Sequence, residues 1–191
     1  TPAATNQPGA RGGGRSAAWI DNKAGKLYMF SGAGVTNNAA VVGYLSDFWS
    51  YDMSTNMWTW IGGGDSLTKS NIASYGIKGV PAATNFPQPR QEANTWTDKE
   101  GNFWMFGGVT TINVGGVDYG FYLNDMWKYN PDDAMWTWVS GDMIDFTSTV
   151  LMGTTYGYYG VYGQRGQAAA GNKPASRMRS GTWVDVNGRL W

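Results

Sequence analysis

Asn94-Thr-Trp-Thr-Asp-Lys-Glu-Gly-Asn-Phe-Trp-Met-Phe-Gly-Gly108, followed by Leu123-Asn-Asp-Met-Trp-Lys-Tyr-Asn130 and Trp136-Thr-Trp-Val139, is the stretch whose reading decides the fold. Aromatic and β-branched residues crowd into short runs, and Asp/Asn/Gly clusters interrupt them before a helix could complete three turns. The reading is four short strands joined by tight turns. The same order occurs earlier, from Arg15 through Lys26-Leu-Tyr-Met-Phe30 and Tyr44-Leu-Ser-Asp-Phe-Trp-Ser-Tyr51 to Met57-Trp-Thr-Trp-Ile61. Trp19 and Trp96 are 77 residues apart, and Leu45 and Leu123 are 78 apart. The chain is therefore a repeat.

Outward from that unit, the approach to each copy is also repeated. Pro2-Ala-Ala-Thr-Asn6, Pro8 and Arg11 match Pro81-Ala-Ala-Thr-Asn85, Pro87 and Arg90. A third approach, Ala168-Ala-Ala-Gly-Asn-Lys-Pro-Ala-Ser-Arg177, leads into Ser180-Gly-Thr-Trp-Val-Asp-Val-Asn-Gly-Arg-Leu-Trp191, and Tyr75-Gly76 recurs as Tyr162-Gly163. The expected organisation is a linker at 1–10, a first unit at 11–61, a connection at 62–89, a second unit at 90–139, a connection at 140–176 and the start of a third unit at 177–191.

Composition agrees. Among 191 residues, 28 are Gly and 11 are Trp, and only 15% are charged, against about 25% in an average domain. Fourteen basic residues balance fourteen acidic ones, so no net field favours nucleic acid. Cys and His are both absent, which removes thiolate chemistry, the commonest metal ligand and the side chain best suited to proton transfer near neutrality. No apolar run is long enough for a membrane span, and no cofactor is expected. Gly12 to Gly14 is followed by no Lys-Ser/Thr pair, so it is not a phosphate loop. The Asp132-Asp133 pair and the Asp142-Met-Ile-Asp145 run lack the spacing of a calcium loop.

Arg90, the run Asn102-Phe-Trp-Met-Phe-Gly-Gly108, Leu123-Asn-Asp-Met-Trp-Lys-Tyr-Asn130 and Trp136-Thr-Trp138 resemble the kelch repeat. In that family the diglycine ends the second strand, and each repeat is one four-stranded blade of an all-β propeller. Ser31 replaces the first glycine in the earlier copy. A period near 78, against roughly 50 for the short form, resembles the long-linker kelch variety of large extracellular microbial proteins. The resemblance implies a secreted or cell-surface module. A single sheet cannot bury both faces, so blades must stack, with each buried Trp contributing on the order of 4 to 6 kcal/mol at most. Two and a fraction blades do not close a ring of four to eight. The expectation is a piece of a larger propeller, completed by other blades of the same or neighbouring chains.

Alternating strand direction puts the turns between strands one and two and between three and four at one face. It puts the long connections, 33–43 with 62–89 and 109–122 with 140–176, at the other. Recognition is expected on that second face. The candidate contacts are Asp118, Tyr119, Phe121 and Tyr122 with Tyr156, Tyr158 and Tyr159, aromatics able to stack on a glycan or anchor a protein partner; the competing reading is that they pack their own loops. Asp47 and Asp125, recurring at equivalent positions, read as structural hydrogen-bond acceptors, and Arg11, Arg90 and Arg177 as structural donors to loop carbonyls. The resemblance extends to copper-radical oxidases built on kelch-like propellers, whose sites use His, Tyr and a Cys crosslinked to Tyr. This segment has neither His nor Cys, so the expected function is non-catalytic binding or structure, the alternative being a non-catalytic portion of a galactose-oxidase-like enzyme.

Overall fold

A computed structural model describes residues 1–191 apart from Gly13, 36–41, Lys69, Asn71, 147–148 and 153–154. In chain order the strands are β1 (Ala17–Asp21), β2 (Lys26–Phe30), β3 (Ala33–Gly34), β4 (Gly43–Leu45), β5 (Phe48–Asp52), β6 (Met57–Gly62) and β7 (Leu67–Thr68). They continue with β8 (Asn94–Thr97), β9 (Phe103–Phe106), β10 (Val109–Val114), β11 (Val117–Tyr122), β12 (Met126–Asn130), β13 (Met135–Ser140), β14 (Val150–Met152) and β15 (Thr155–Gly157). No α-helix occurs among the described residues, so the chain is all-β.

Two four-stranded antiparallel sheets form the core, ordered β1-β2-β5-β6 and β8-β9-β12-β13. Side-chain hydrogen bonds build their tight turns, because Asp and Asn can cap their own backbone. The Asp21 carboxylate accepts from the Lys23 and Ala24 amides at 3.0 and 2.9 Å. Asp98 accepts from the Asn102 amide at 2.8 Å and from the Trp104 indole at 2.6 Å. Burial alone would raise the Asp98 carboxyl, but these bonds outweigh it and hold the group below its ordinary value. Asp185 repeats the device in a hairpin over 183–191, accepting from the Asn187 and Arg189 amides at 2.9 Å.

Alternation along each strand gives each sheet two faces. The first sheet turns Trp19, Tyr28, Phe30 and Phe48 toward Phe103, Tyr129 and Trp136 of the second, and all seven are buried in one cluster. Trp19 stacks on Phe103 at 5.6 Å, Tyr28 tilts on Phe103 at 4.8 Å and Phe48 meets Tyr129 edge-on at 4.9 Å. Offset and edge arrangements of this kind are the favoured ones for aromatic pairs.

The junction between units repeats as the sequence does. Trp19 donates its indole N–H to the Trp104 carbonyl at 3.0 Å, and Trp96 donates to the Trp191 carbonyl at 2.7 Å. Gly32 donates to the Arg90 carbonyl at 3.0 Å, and Gly108 to the Arg177 carbonyl at 2.9 Å. The hairpin over 183–191 thus sits on the second sheet as the second sits on the first. At the second junction Gly107 has φ +67°, and a Cβ there would lie 2.4 Å from the Arg177 carbonyl oxygen. Ser31, with φ 56°, occupies the equivalent place, and its hydroxyl accepts the Arg90 amide at 2.7 Å.

The long connections are more ordered than loops. Strands β3, β4 and β7 make a three-stranded sheet, and β10, β11, β15 and β14 make a four-stranded one in which β11 and β15 run parallel. Each accessory sheet grows from the same end of its core sheet, where the second strand leaves and the third begins.

Candidate functional site

The accessory face is built from a hairpin the sequence encodes plainly. Val109-Thr-Thr-Ile-Asn-Val114 pairs with Val117-Asp-Tyr-Gly-Phe-Tyr122 across Gly115-Gly116, whose φ angles of 60° and 88° suit a two-residue hairpin turn. Two β-branched or aromatic runs around Gly-Gly were the signal available for this element; a connection reading passed over it. Burial raises the phenol of Tyr44, on the smaller accessory sheet, above its ordinary range.

The seven sequence-derived candidates fall into different places. Phe121 is fully buried, and Tyr158 is buried beside it with Ile112 and Leu123. Tyr119 and Tyr156 meet edge-on at 5.4 Å, and Phe121 stacks on Tyr156 at 5.9 Å. The Tyr158 hydroxyl donates to the Met143 carbonyl and accepts the Asp145 amide at 2.7 Å, while burial drives its phenol far above its ordinary value. Four of the seven therefore join in one cluster that packs β11 against the second connection. Tyr122 is half-buried. Asp118 is exposed and accepts from the Asn113 amide group at 2.7 Å across the hairpin. Tyr159 projects, 73% exposed. Of the candidates, Asp118 and Tyr159 are exposed, as are Val114 and Val117 at the hairpin tip, both about half.

A second constellation lies on the core sheets, and sequence reasoning found its members without pairing them. Arg90 and Asp125 are both fully buried and form a bidentate ion pair, 2.5 Å between Nη1 and Oδ1 and 2.8 Å between Nη2 and Oδ2. The Trp127 indole and the Tyr75 hydroxyl also donate to Asp125 Oδ2, at 2.8 and 3.0 Å. Arg90 also donates from Nε to the Gln88 carbonyl and from Nη1 to the Gly107 carbonyl. A buried pair offsets its desolvation only with further hydrogen bonds of this kind. Burial and the adjoining Asp125 carboxylate raise the Tyr75 phenol well above its ordinary value, so it stays a neutral donor.

Arg11 and Asp47 repeat the pair in the first sheet, with the Trp49 indole donating to Asp47 Oδ2 at 2.7 Å and Arg11 Nε to the Ser31 carbonyl at 3.1 Å. The signal was the nearly constant separation from Arg to Asp, 36 residues in one unit and 35 in the other.

Neither protein-family models nor curated proteins match the chain. Its chemistry therefore rests on these side chains. Among the described residues no three Asp or Glu converge as a metal site would require, and no helix is long and apolar enough to cross a membrane. Asp47, Glu92 and Asp125 are buried, and each is paired with an arginine, Arg11, Arg179 and Arg90 respectively.

Proposed function

We propose that the core sheets are blades of a kelch-type β-propeller with further blades beyond them, and that the chain serves as a non-catalytic module binding a polypeptide or glycan through its accessory-sheet face. The blade reading is supported by two chemically equivalent faces. On the second sheet Met105, Phe103, Trp127, Tyr129, Trp136 and Trp138 are all buried. Their counterparts on the first sheet, Met29, Leu27, Trp49, Tyr51, Trp58 and Trp60, are partly open, Trp60 to 46%. An apolar groove of about 610 Å³ lies along this side, lined in part by Leu27, Met29 and Trp58. So large an apolar surface calls for another sheet.

The observation that carries the binding reading is the order of the accessory face. Two hydrogen-bonded accessory sheets leave Val114, Val117, Asp118 and Tyr159 exposed. A rigid rim binds without the entropic penalty of ordering a loop. The two valines at the tip favour a polypeptide over a glycan.

The test is a screen of the chain against arrayed glycans and extracellular polypeptides, repeated with the double variant Val114→Ser/Val117→Ser and with Tyr159→Ala. A retained partner should lose at least about ten-fold in affinity with either. Lys23→Ala, at the opposite end of the sheets, should leave binding unchanged. A partner sensitive to Lys23 and indifferent to the rim would overturn the reading.

A further inference from the structure

Each long connection carries a strap, and the two straps are folded alike. Ser74 bridges Phe86 as Val161 bridges Lys173. Val80 donates to the Ile77 carbonyl as Gln167 does to Gln164, and the side-chain amides of Asn85 and Asn172 reach back to the carbonyls of Val80 and Gln167. Phe86 and Lys173 thus hold equivalent places on the two straps, and through them each strap meets the end of the core sheet that precedes it in the chain. That end is also built twice. The Gly64 amide donates to the Ser46 hydroxyl at 3.0 Å, and the Asp142 amide donates to the Asn124 side-chain oxygen at 3.1 Å.

The groups that meet differ in kind. At the first junction the strap presents Phe86, which meets Phe30 edge-on at 5.6 Å and lies beside Gly62. At the second it presents Lys173, whose ammonium donates to both oxygens of Asp142 at 2.5 and 2.7 Å, while the Asn124 side chain donates to the same carboxylate at 2.8 Å. Both charged side chains are mostly enclosed. Phe, Gly and Ser at one junction are replaced by Lys, Asp and Asn at the other, and the three replacements answer one another.

We propose that these residues are addresses. The end of the first core sheet is a site for an aromatic side chain and the end of the second a site for an ammonium group, so each accepts its own strap and rejects the other's. The need arises from the likeness of the straps, since repeats that fold alike can dock in one another's places, within a chain or between chains. Rejection works in both directions. Lysine at the first junction would bring an ammonium against Phe30 and Gly62 with no carboxylate from Ser46 or Gly64 to answer it, and an enclosed unpaired charge is costly. Phenylalanine at the second would leave Asp142 enclosed without its counter-charge. An enclosed ion pair is weak evidence for stability, and fixing register is its best-attested use. The inference uses only residues present at both junctions, and it stands whatever the accessory face binds.

The experiment converts the second junction into a copy of the first, in the triple variant Asn124→Ser/Asp142→Gly/Lys173→Phe, and compares it with Lys173→Phe alone. In denaturant unfolding the single change should shift the equilibrium toward the unfolded chain by roughly ten-fold, and the triple variant should recover most of that shift, because groups in contact couple. Fidelity is read separately. The chain has no Cys, so a spin label on Gly171→Cys, an exposed position where a Cβ meets nothing within 4 Å, reports where the second strap lies. The spin-labelled protein is refolded with an equal amount of isotope-labelled wild type, and broadening is recorded at the Gly62 and Gly64 amides of the latter. A strap with its own address should leave those amides sharp, whereas the strap of the triple variant should broaden them by docking on the first sheet of another chain. Losses that simply add in unfolding, or a triple variant that leaves the two amides as sharp as the wild-type strap does, would overturn the proposal and reduce the Lys173–Asp142 pair to a staple.

Discussion

Tyr75 and Tyr162 sit on straps with the same backbone hydrogen bonds, yet one is buried against two indoles and a carboxylate and the other is in solvent. The same contrast runs through their neighbours. Lys78 lies over the Trp138 ring at 4.2 Å and donates to the Gly141 carbonyl, while Arg165, its counterpart, is exposed. Arg90 is enclosed with Asp125, while Arg177 is exposed and, among the described residues, pairs with no carboxylate. The lesson is that the strap is locally encoded. Both copies form the same local hydrogen bonds, and it is the core sheet against Tyr75 that gives the side chains of the first copy their long-range partners.

The comparison can be broken first at the arginines. Arg90→Met leaves Asp125 buried and uncompensated and should destabilise the chain by about 3 to 5 kcal/mol in denaturant unfolding, whereas Arg177→Met should stay within about 0.5 kcal/mol. Equal losses would mean that the 177 position is also enclosed.

The tyrosines give a smaller contrast. Tyr75→Phe removes a hydroxyl bonded to a buried carboxylate and should cost about 1.5 to 3 kcal/mol; Tyr162→Phe should be neutral in the same assay.

Gly107→Ala should cost about 1 kcal/mol or somewhat more, because the left-handed φ penalises a side chain and the new Cβ presses on the Arg177 carbonyl. Ser31→Gly, which relaxes the backbone while losing the bond from the Arg90 amide, should change thermal unfolding less.

The smallest effect is confined to alkali. A phenol whose ionisation is raised by folding contributes stability that is intact below the unfolded value near 10 and lost as pH rises through the folded one. Tyr75, Tyr129 and Tyr158 are all of this kind, chiefly through burial. Unfolding free energy should therefore fall above about pH 10, and Tyr75→Phe should make that fall shallower.

Much of this was legible in the residues. The Asp-to-Gly and Asp-to-Asn turns, the four-strand order and the repeat follow from local rules, since Asp side chains cap their own backbone and aromatic runs alternate faces within a few residues. The accessory hairpin was legible too, from the Gly115-Gly116 pair between strand-forming runs. The candidate surface was less so. Phe121, Tyr156 and Tyr158 look like exposed recognition aromatics in a long connection, but whether an aromatic packs inward or outward depends on the strand beside it. The parallel pairing of β11 with β15 joins residues more than thirty positions apart.

The sequence by itself determined the element types, the repeat period and the identity of every group in the Arg, Asp, Trp and Tyr constellation, because each is a matter of local propensity or simple recurrence. Only the tertiary structure decided which arginine meets which carboxylate, which face of each sheet is covered and which tyrosine is bound. Those outcomes depend on excluding water from a pair of surfaces, and no residue can do that before its neighbour in space has arrived.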